Sequence, residues 1–202
     1  MIILDVLASV ERISPNYKLL KDIAEECFMP LTYGGGIRTI EDADRIFDLG
    51  YEKIAVNSIL YDNPSIVEAM ANKYGTQAII ASLDYKKNIY ARNEVAFISG
   101  KRTINTTPIE FCKDLELLGA GEILLTSIDR EGTWLGLDKK TIIEVSSVVN
   151  IPVIANGGCK SLVEANEVLD SCGASAIGLG NLVVFHKPQN GVLINFPIGE
   201  TN

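Results

Sequence analysis

Residues Pro30–Ser58 (PLTYGGGIRTIEDADRIFDLGYEKIAVNS) and Pro152–Asn181 (PVIANGGCKSLVEANEVLDSCGASAIGLGN) are two copies of one pattern, offset by a single one-residue gap. Pro, Gly-Gly, Ala, Asp, Gly and Ile coincide, and a hydroxyl able to open a helix recurs at Thr39 and Ser161. A strand–turn–helix–strand block that occurs twice predicts an α/β fold, a (β/α)8 TIM barrel built from two half-barrels. A naturally incomplete barrel or an open doubly wound sheet is the plainer alternative.

The rest of the chain keeps the same alternation. Short, almost wholly apolar runs, the mark of strands buried on both faces, lie at Ile2–Val6, Met29–Tyr33, Lys53–Asn57, Ala78–Asp84, Glu122–Ile128, Pro152–Ala155 and Ala174–Gly178. Helical patterns occupy Tyr17–Phe28, Ile40–Leu49, Pro64–Tyr74, Pro108–Leu118, Lys139–Val149 and Leu162–Ser171. Asn63 and Thr107 precede first-turn prolines as expected N-caps, and Gly50, Gly75, Gly119 and Gly173 follow helix ends. Ile89–Thr106 breaks the rhythm and reads as an inserted hairpin. These runs make seven strands, and the repeat implies an eighth before Ile2. The 202 residues therefore read as one barrel domain without its first βα unit. An open arc would leave two unpaired edges, to be met by a missing segment, a swapped partner or an altered closure. If Met1 is an internal methionine, the full protein is longer by about 45–50 residues, one βα unit of an average barrel.

Composition narrows the function classes. The formal net charge of −8, with no run of Lys or Arg, argues against general nucleic-acid or anionic-membrane binding. No uncharged apolar stretch is long enough to span a membrane, and with no basic leader and with Asp5 inside the apolar run, MIILDVLASVER is not expected to act as a signal peptide. Four scattered cysteines without CxxC spacing suit free thiols in a reducing cytoplasm. The single histidine, His186, disfavours a histidine-rich metal site or a Ser-His hydrolase and reads as a surface or packing residue. Neither a metal nor a cofactor is expected.

In such barrels the chemistry sits at the C-terminal ends of the strands. Gly34–Gly36 with Asn57 and Ser58 would cradle one phosphate, using backbone N–H groups and the dipole of a following helix. Gly157 and Gly158 with Gly180 and Asn181 would form the repeat-related twin, which calls for a long substrate with a phosphate at each end. Glycines in βα turns can equally be steric. Asp84, at the end of IIASLD, reads as a general acid or base, or as a brace for the next loop. Asp129 and Glu131 flank Arg130 in SIDREGT, where one acid serves a ligand and the other braces the arginine. Trp134 is a loop residue over the ligand or a core residue, and Asp5 reads as structural.

The combination of IILDV-x-ASVE, YGGGIRTIEDA, KIAVNS, ASLDYKK and GAGEILLTSIDREGT, spread from Ile2 to about His186, strongly resembles the cyclase subunit of imidazole glycerol phosphate synthase. The resemblance implies a (β/α)8 barrel that takes ammonia from a glutaminase partner in a heterodimer. It implies conversion of a two-phosphate ribulosyl formimino ribonucleotide into imidazole glycerol phosphate and aminoimidazole carboxamide ribonucleotide. By motif, Asp84 matches one of two catalytic aspartates. Gly35, Gly36, Asn57 and Ser58 match one phosphate site, and Gly132, Gly157, Gly158, Gly180 and Asn181 the other. Lys53 and Glu122 match two members of a charged ring that admits ammonia, on the face where the glutaminase would dock. Asp5, Asp129 and Glu131 are supporting residues.

Two departures qualify this. The second catalytic aspartate, like the other half of the charged ring, belongs before Ile2. Tyr33 and the tail FHKPQNGVLINFP resemble paralogues encoded with surface-polysaccharide genes, which deliver ammonia to amidinate a sugar. A sugar-amidating amidotransferase subunit and a non-catalytic barrel fragment that only binds a glutaminase are therefore the competing readings.

Overall fold

The computed structural model describes residues 1–184; His186 and the tail that begins at Phe185 lie outside them. Strands β1 (Ile2–Leu4), β2 (Thr32–Gly34), β3 (Lys53–Val56) and β4 (Ile79–Lys87) are followed by β5 (Asn93–Phe97) and β6 (Arg102–Ile104). Then come β7 (Glu122–Ser127), β8 (Val153–Asn156) and β9 (Ala176–Ile177). Seven of them pair in parallel, in the spatial order β1-β2-β3-β4-β7-β8-β9. This is the curled, part-barrel sheet that the repeat predicts. Among the described residues β1 pairs only with β2 and β9 only with β8, so the arc is open, and Ile2 and Leu4 are 36% and 45% exposed on β1.

Side chains alternate across each strand, which gives the sheet two different faces. Outward residues such as Ile54, Val56, Ile79, Leu83, Ile123 and Leu125 pack under helices in one large core. The helices contribute Leu20 from α2 (Tyr17–Glu26), Ile46 from α3 (Ile40–Asp48), Met70 from α5 (Ile66–Tyr74), Leu115 from α6 (Pro108–Leu117), Val145 from α7 (Lys139–Ser146) and Val168 from α8 (Leu162–Ser171). Inward residues Ala55, Ile80, Leu124 and Ile154 form a separate apolar layer inside the arc. One step towards the strand starts, on the same inner register, stand Lys53 and Glu122. One step the other way stand Asn57, Ser82, Thr126 and Asn156. The interior is thus charged at one end, apolar in the middle and polar at the other.

The repeat also extends to its helix starts. Thr39 accepts the Asp42 N–H and Ser161 the Glu164 N–H, both at 3.1 Å. In the first copy the acid returns the bond, Asp42 accepting from Thr39 as well as Arg38; in the second, Glu164 accepts instead from Lys160 and Leu137.

Four expectations need correction. The first strand stops at Leu4 because Asp5 caps a further helix, α1 (Val6–Glu11), accepting the Ala8 N–H at 3.0 Å. Asp84 does not end its strand: β4 continues to Lys87 because β5 pairs antiparallel with Asp84–Lys87 and carries β6 on its far side. The expected hairpin is therefore the outer part of a three-stranded meander. Asn63 does not cap the helix after Pro64. It closes the short α4 (Ile59–Asp62), donating its N–H to Ile59, and α5 starts only at Ile66. Thr107, by contrast, caps α6 with Glu110 in a reciprocal box. Trp134 belongs to neither the core nor the cavity lining.

One core position carries a surplus polar atom. The Tyr33 ring is buried edge-on to Tyr51 (centroids 6.2 Å apart), and its hydroxyl finds no hydrogen-bond partner among the described residues. Burial also drives its ionisation far above the ordinary tyrosine range. Removing an unsatisfied buried hydroxyl while keeping the ring recovers a desolvation cost of about 1–3 kcal/mol. Tyr33→Phe is expected to leave stability unchanged or raise it by about 1 kcal/mol, measured by urea unfolding. A clear loss would mean that the hydroxyl has a partner after all.

Candidate active site

A cavity of about 520 Å³ opens at the C-terminal ends of the strands. Asp5, Gly34, Gly35, Gly36, Asn57, Ser58, Ser82, Asp84, Thr126, Glu131 and Asn156 line it, with Ile98 and Ser99 of the β5–β6 turn as one wall. Asp84, the first cradle and Glu131 are thus brought together as the sequence indicates. Gly132, Gly157, Gly158, Gly180 and Asn181 are not part of this lining.

Asp84 is the most perturbed acid in the cavity. Burial, reinforced by the charge of Glu131, pushes its carboxyl up to about 7, although the neighbouring Asn57 amide favours the charged form. Asn57 also donates to the Ser82 carbonyl (2.8 Å), which fixes its amide in the wall. A carboxyl that titrates near neutrality can both hold and release a proton at working pH, the property general acid–base chemistry requires. Burial raises the Glu131 carboxyl as well.

The two acids of SIDREGT divide differently from the sequence reading. Asp129 accepts the Lys87 N–H (2.7 Å) and so ties the end of β4 to this loop. Arg130 donates instead to the Gly136 carbonyl (2.9 Å). No hydrogen bond joins the arginine to either acid, and Glu131 is left facing the cavity.

The glycine turns have a steric reason as well as a possible ligand. A side chain on Gly35 would begin 2.4 Å from the Asp5 carbonyl oxygen, and one on Gly157 would begin 2.6 Å from that of Ser127. Gly36 and Gly158 are crowded in the same way by the Ile13 and Arg130 carbonyls. Each Gly-Gly pair therefore packs on the end of the preceding strand, β1 in one copy and β7 in the other. The helix dipoles add little. The Arg38 and Thr39 N–H groups just before α3 and the Lys160 N–H just before α8 are taken by Asp42 and Glu164, and the helices after Ser58 and Gly180, α4 and α9 (Asn181–Val184), have four residues each.

Arg12 and Arg38 also line the cavity beside the first cradle, and both are exposed. Sequence reasoning passed over them. An arginine two residues after a glycine turn, as Arg38 is, is a signal worth reading, because a guanidinium forks onto phosphate oxygens. At the opposite end of the interior, Lys53 and Glu122 are salt-bridged across β3 and β7.

A parallel βα arc with a cavity at the strand C-termini, one of two duplicated glycine turns in its wall, defines a protein of the (β/α)-barrel class. The chain belongs to the family described as Histidine biosynthesis protein, which it matches over residues 1–188. It is similar to imidazole glycerol phosphate synthase subunit HisF of Lactococcus lactis subsp. cremoris, 40% identical over 187 residues, 92% of this chain and 71% of that protein. The subunit of the same name from Legionella pneumophila is 38% identical over 166 residues, 82% of this chain and 78% of its own length. A Pseudomonas aeruginosa protein provisionally named subunit hisF2 is 39% identical over 197 residues, 98% of this chain and 78% of its own length. Among the described residues no helix is long and apolar enough to cross a membrane.

Proposed function

We propose that the chain is the ammonia-using cyclase subunit of an imidazole glycerol phosphate synthase, working as one barrel domain in the cytoplasm beside a glutaminase. The observation that carries this reading is the ordering of the interior. Lys53 and Glu122 close one end, a small apolar layer follows, and Asp84 with its raised pKa stands in the cavity at the other. Ammonia admitted past the ion pair is small and neutral enough to cross that layer and reach the substrate held above it. The names of the relatives agree.

In this reading Gly35, Gly36, Asn57 and Ser58 hold one phosphate of the ribonucleotide, and Gly132, Gly157, Gly158, Gly180 and Asn181 the other. Asp84 moves the protons of ring closure. Asp5 and Asp129 fix the loops through their backbone bonds. The glutaminase docks on the rim where the strands begin. There Phe28 is 99% exposed and Met29 is exposed beside it, in the segment that feeds β2.

The test is ammonium-dependent consumption of the two-phosphate ribonucleotide at pH 8, with appearance of imidazole glycerol phosphate. Turnover supports the cyclase. A folded protein that leaves this ribonucleotide untouched but supports amidination of a nucleotide-linked sugar would move it to the surface-polysaccharide pathway, which Tyr33 before the glycines favours. Stimulation of a glutaminase with neither reaction would leave a binding fragment.

A further inference from the structure

The cavity takes in the first phosphate cradle and stops short of the second, and Glu131 stands at the division. Its side chain lines the cavity, yet one carboxylate oxygen, Oε1, lies 3.7 Å from the point where a side chain on Gly180 would begin. Gly132, next in sequence, is turned towards the Asn181 amide, with 3.4 Å between that nitrogen and its own absent Cβ. Of the second cradle, Gly180 therefore lies against a carboxylate, and Gly132 and Asn181 face each other. In the first cradle the repeat-related turn faces the cavity, with Arg12 and Arg38 on its flank. The two cradles share a backbone plan and differ in the charge they present to the cavity: Lys160, the repeat counterpart of Arg38, stands 4.0 Å from Glu164 and does not line it, whereas Glu131 does.

We propose that Glu131 is a charge gate on the second phosphate cradle, occupying it until a ligand already anchored at the first cradle displaces the carboxylate. The proposal rests on the two-phosphate reading above. A free anion arriving at Gly180 meets the Glu131 carboxylate a few ångströms away, whereas the cavity beside Gly35 and Gly36 holds Arg12 and Arg38 together with Asp62 and with Asp5, whose carboxylate already accepts the Ala8 N–H. Like charges at such range repel strongly enough to weaken binding by about 10-fold or more. A substrate tethered by its other end has a high effective concentration at the second cradle and can overcome that repulsion, while a lone phosphate cannot. The open volume beside Glu131 is the cavity itself, so the displaced carboxylate turns towards the middle of the bound substrate. The gate thus selects for length: a ligand with a single phosphate fills one cradle and leaves the other closed.

Inorganic phosphate is the probe, titrated into the full chain at pH 8 and followed by calorimetry. The unaltered protein is expected to bind one phosphate. Glu131→Ala and Glu131→Gln are expected to bind two, the second at least about 10-fold tighter than any second event in the unaltered protein. Adding Gly180→Val to Glu131→Ala should remove the gained site and keep the first. Gln keeps the size of the side chain without its charge, so a second site in both variants assigns the effect to charge. One site in all proteins, or two equal sites in the unaltered one, overturns the gate and leaves the phosphate reading standing. No binding by any of them, with the fold verified by circular dichroism, removes the phosphate reading and the gate together.

Discussion

Replacing Asp84 by Asn is expected to reduce ammonium-dependent turnover by about 10²–10⁴, the range for loss of a positioned acid–base group, and at the same time to stabilise the protein above neutral pH. Both effects have one cause. The folded chain holds the Asp84 proton up to about pH 7, because burial and the Glu131 charge oppose ionisation. The unfolded chain releases it near 4, like any exposed aspartate. Between those values the folded state binds more protons than the unfolded state, so this group's contribution to stability falls as pH rises through the window. At about 1.4 kcal/mol per pKa unit, the charged carboxylate costs the folded state on the order of 4 kcal/mol at pH 8. Asparagine has no proton to lose and is nearly the same shape. Urea unfolding at pH 5 and pH 8 reads this directly: the unaltered protein loses stability between the two, and Asp84→Asn loses much less. The pH–rate profile of the unaltered protein should carry an inflection near 7. A variant that is less stable at pH 8 and still turns over substrate would show Asp84 to be a structural brace.

That one residue illustrates what could be read in the sequence. Asp84 was recognisable because an acid at the end of an otherwise apolar run has to be accommodated on a buried face. Its neighbourhood was not. The strand continues past it because a segment ten residues on folds back and pairs there, and local pattern carries no record of that partner. Asp5 shows the same limit from the other side. An aspartate after IIL terminates a strand and opens a helix equally well, and the apolar residues after it suited either. The repeat was the strongest signal since it constrains tertiary equivalence: matched glycines, matched caps and matched acids at Asp42 and Glu164 occupy matched places. It said nothing about where the copies differ in charge. Arg12 and Glu131 both come from outside the repeated block.

Alanine at Gly35 or Gly157 is expected to cost about 2–6 kcal/mol, a large share of the stability of an ordinary domain. Two penalties add at these sites. Gly35 and Gly157 have φ of 134° and 103°, a region that side chains rarely enter and where strain of about 1–3 kcal/mol is usual. The new methyl would also press into the Asp5 or Ser127 carbonyl oxygen, 2.4 and 2.6 Å away, and overpacking against backbone adds about 1–3 kcal/mol more. Gly50 separates the two terms. Its φ of 91° carries similar strain, but nothing lies within 4 Å of its would-be side chain. Gly50→Ala should therefore cost only the strain, about 1 kcal/mol, and leave the cavity untouched. Urea midpoints for the three variants decide the matter. If all three lose the same small amount, the strand-end contacts are not what requires glycine, and the duplicated turns are kept for the anion alone. If Gly35→Ala and Gly157→Ala fall together and well below Gly50→Ala, close packing on β1 and β7 demands the glycines, and phosphate binding makes use of backbone N–H groups that packing had already bared.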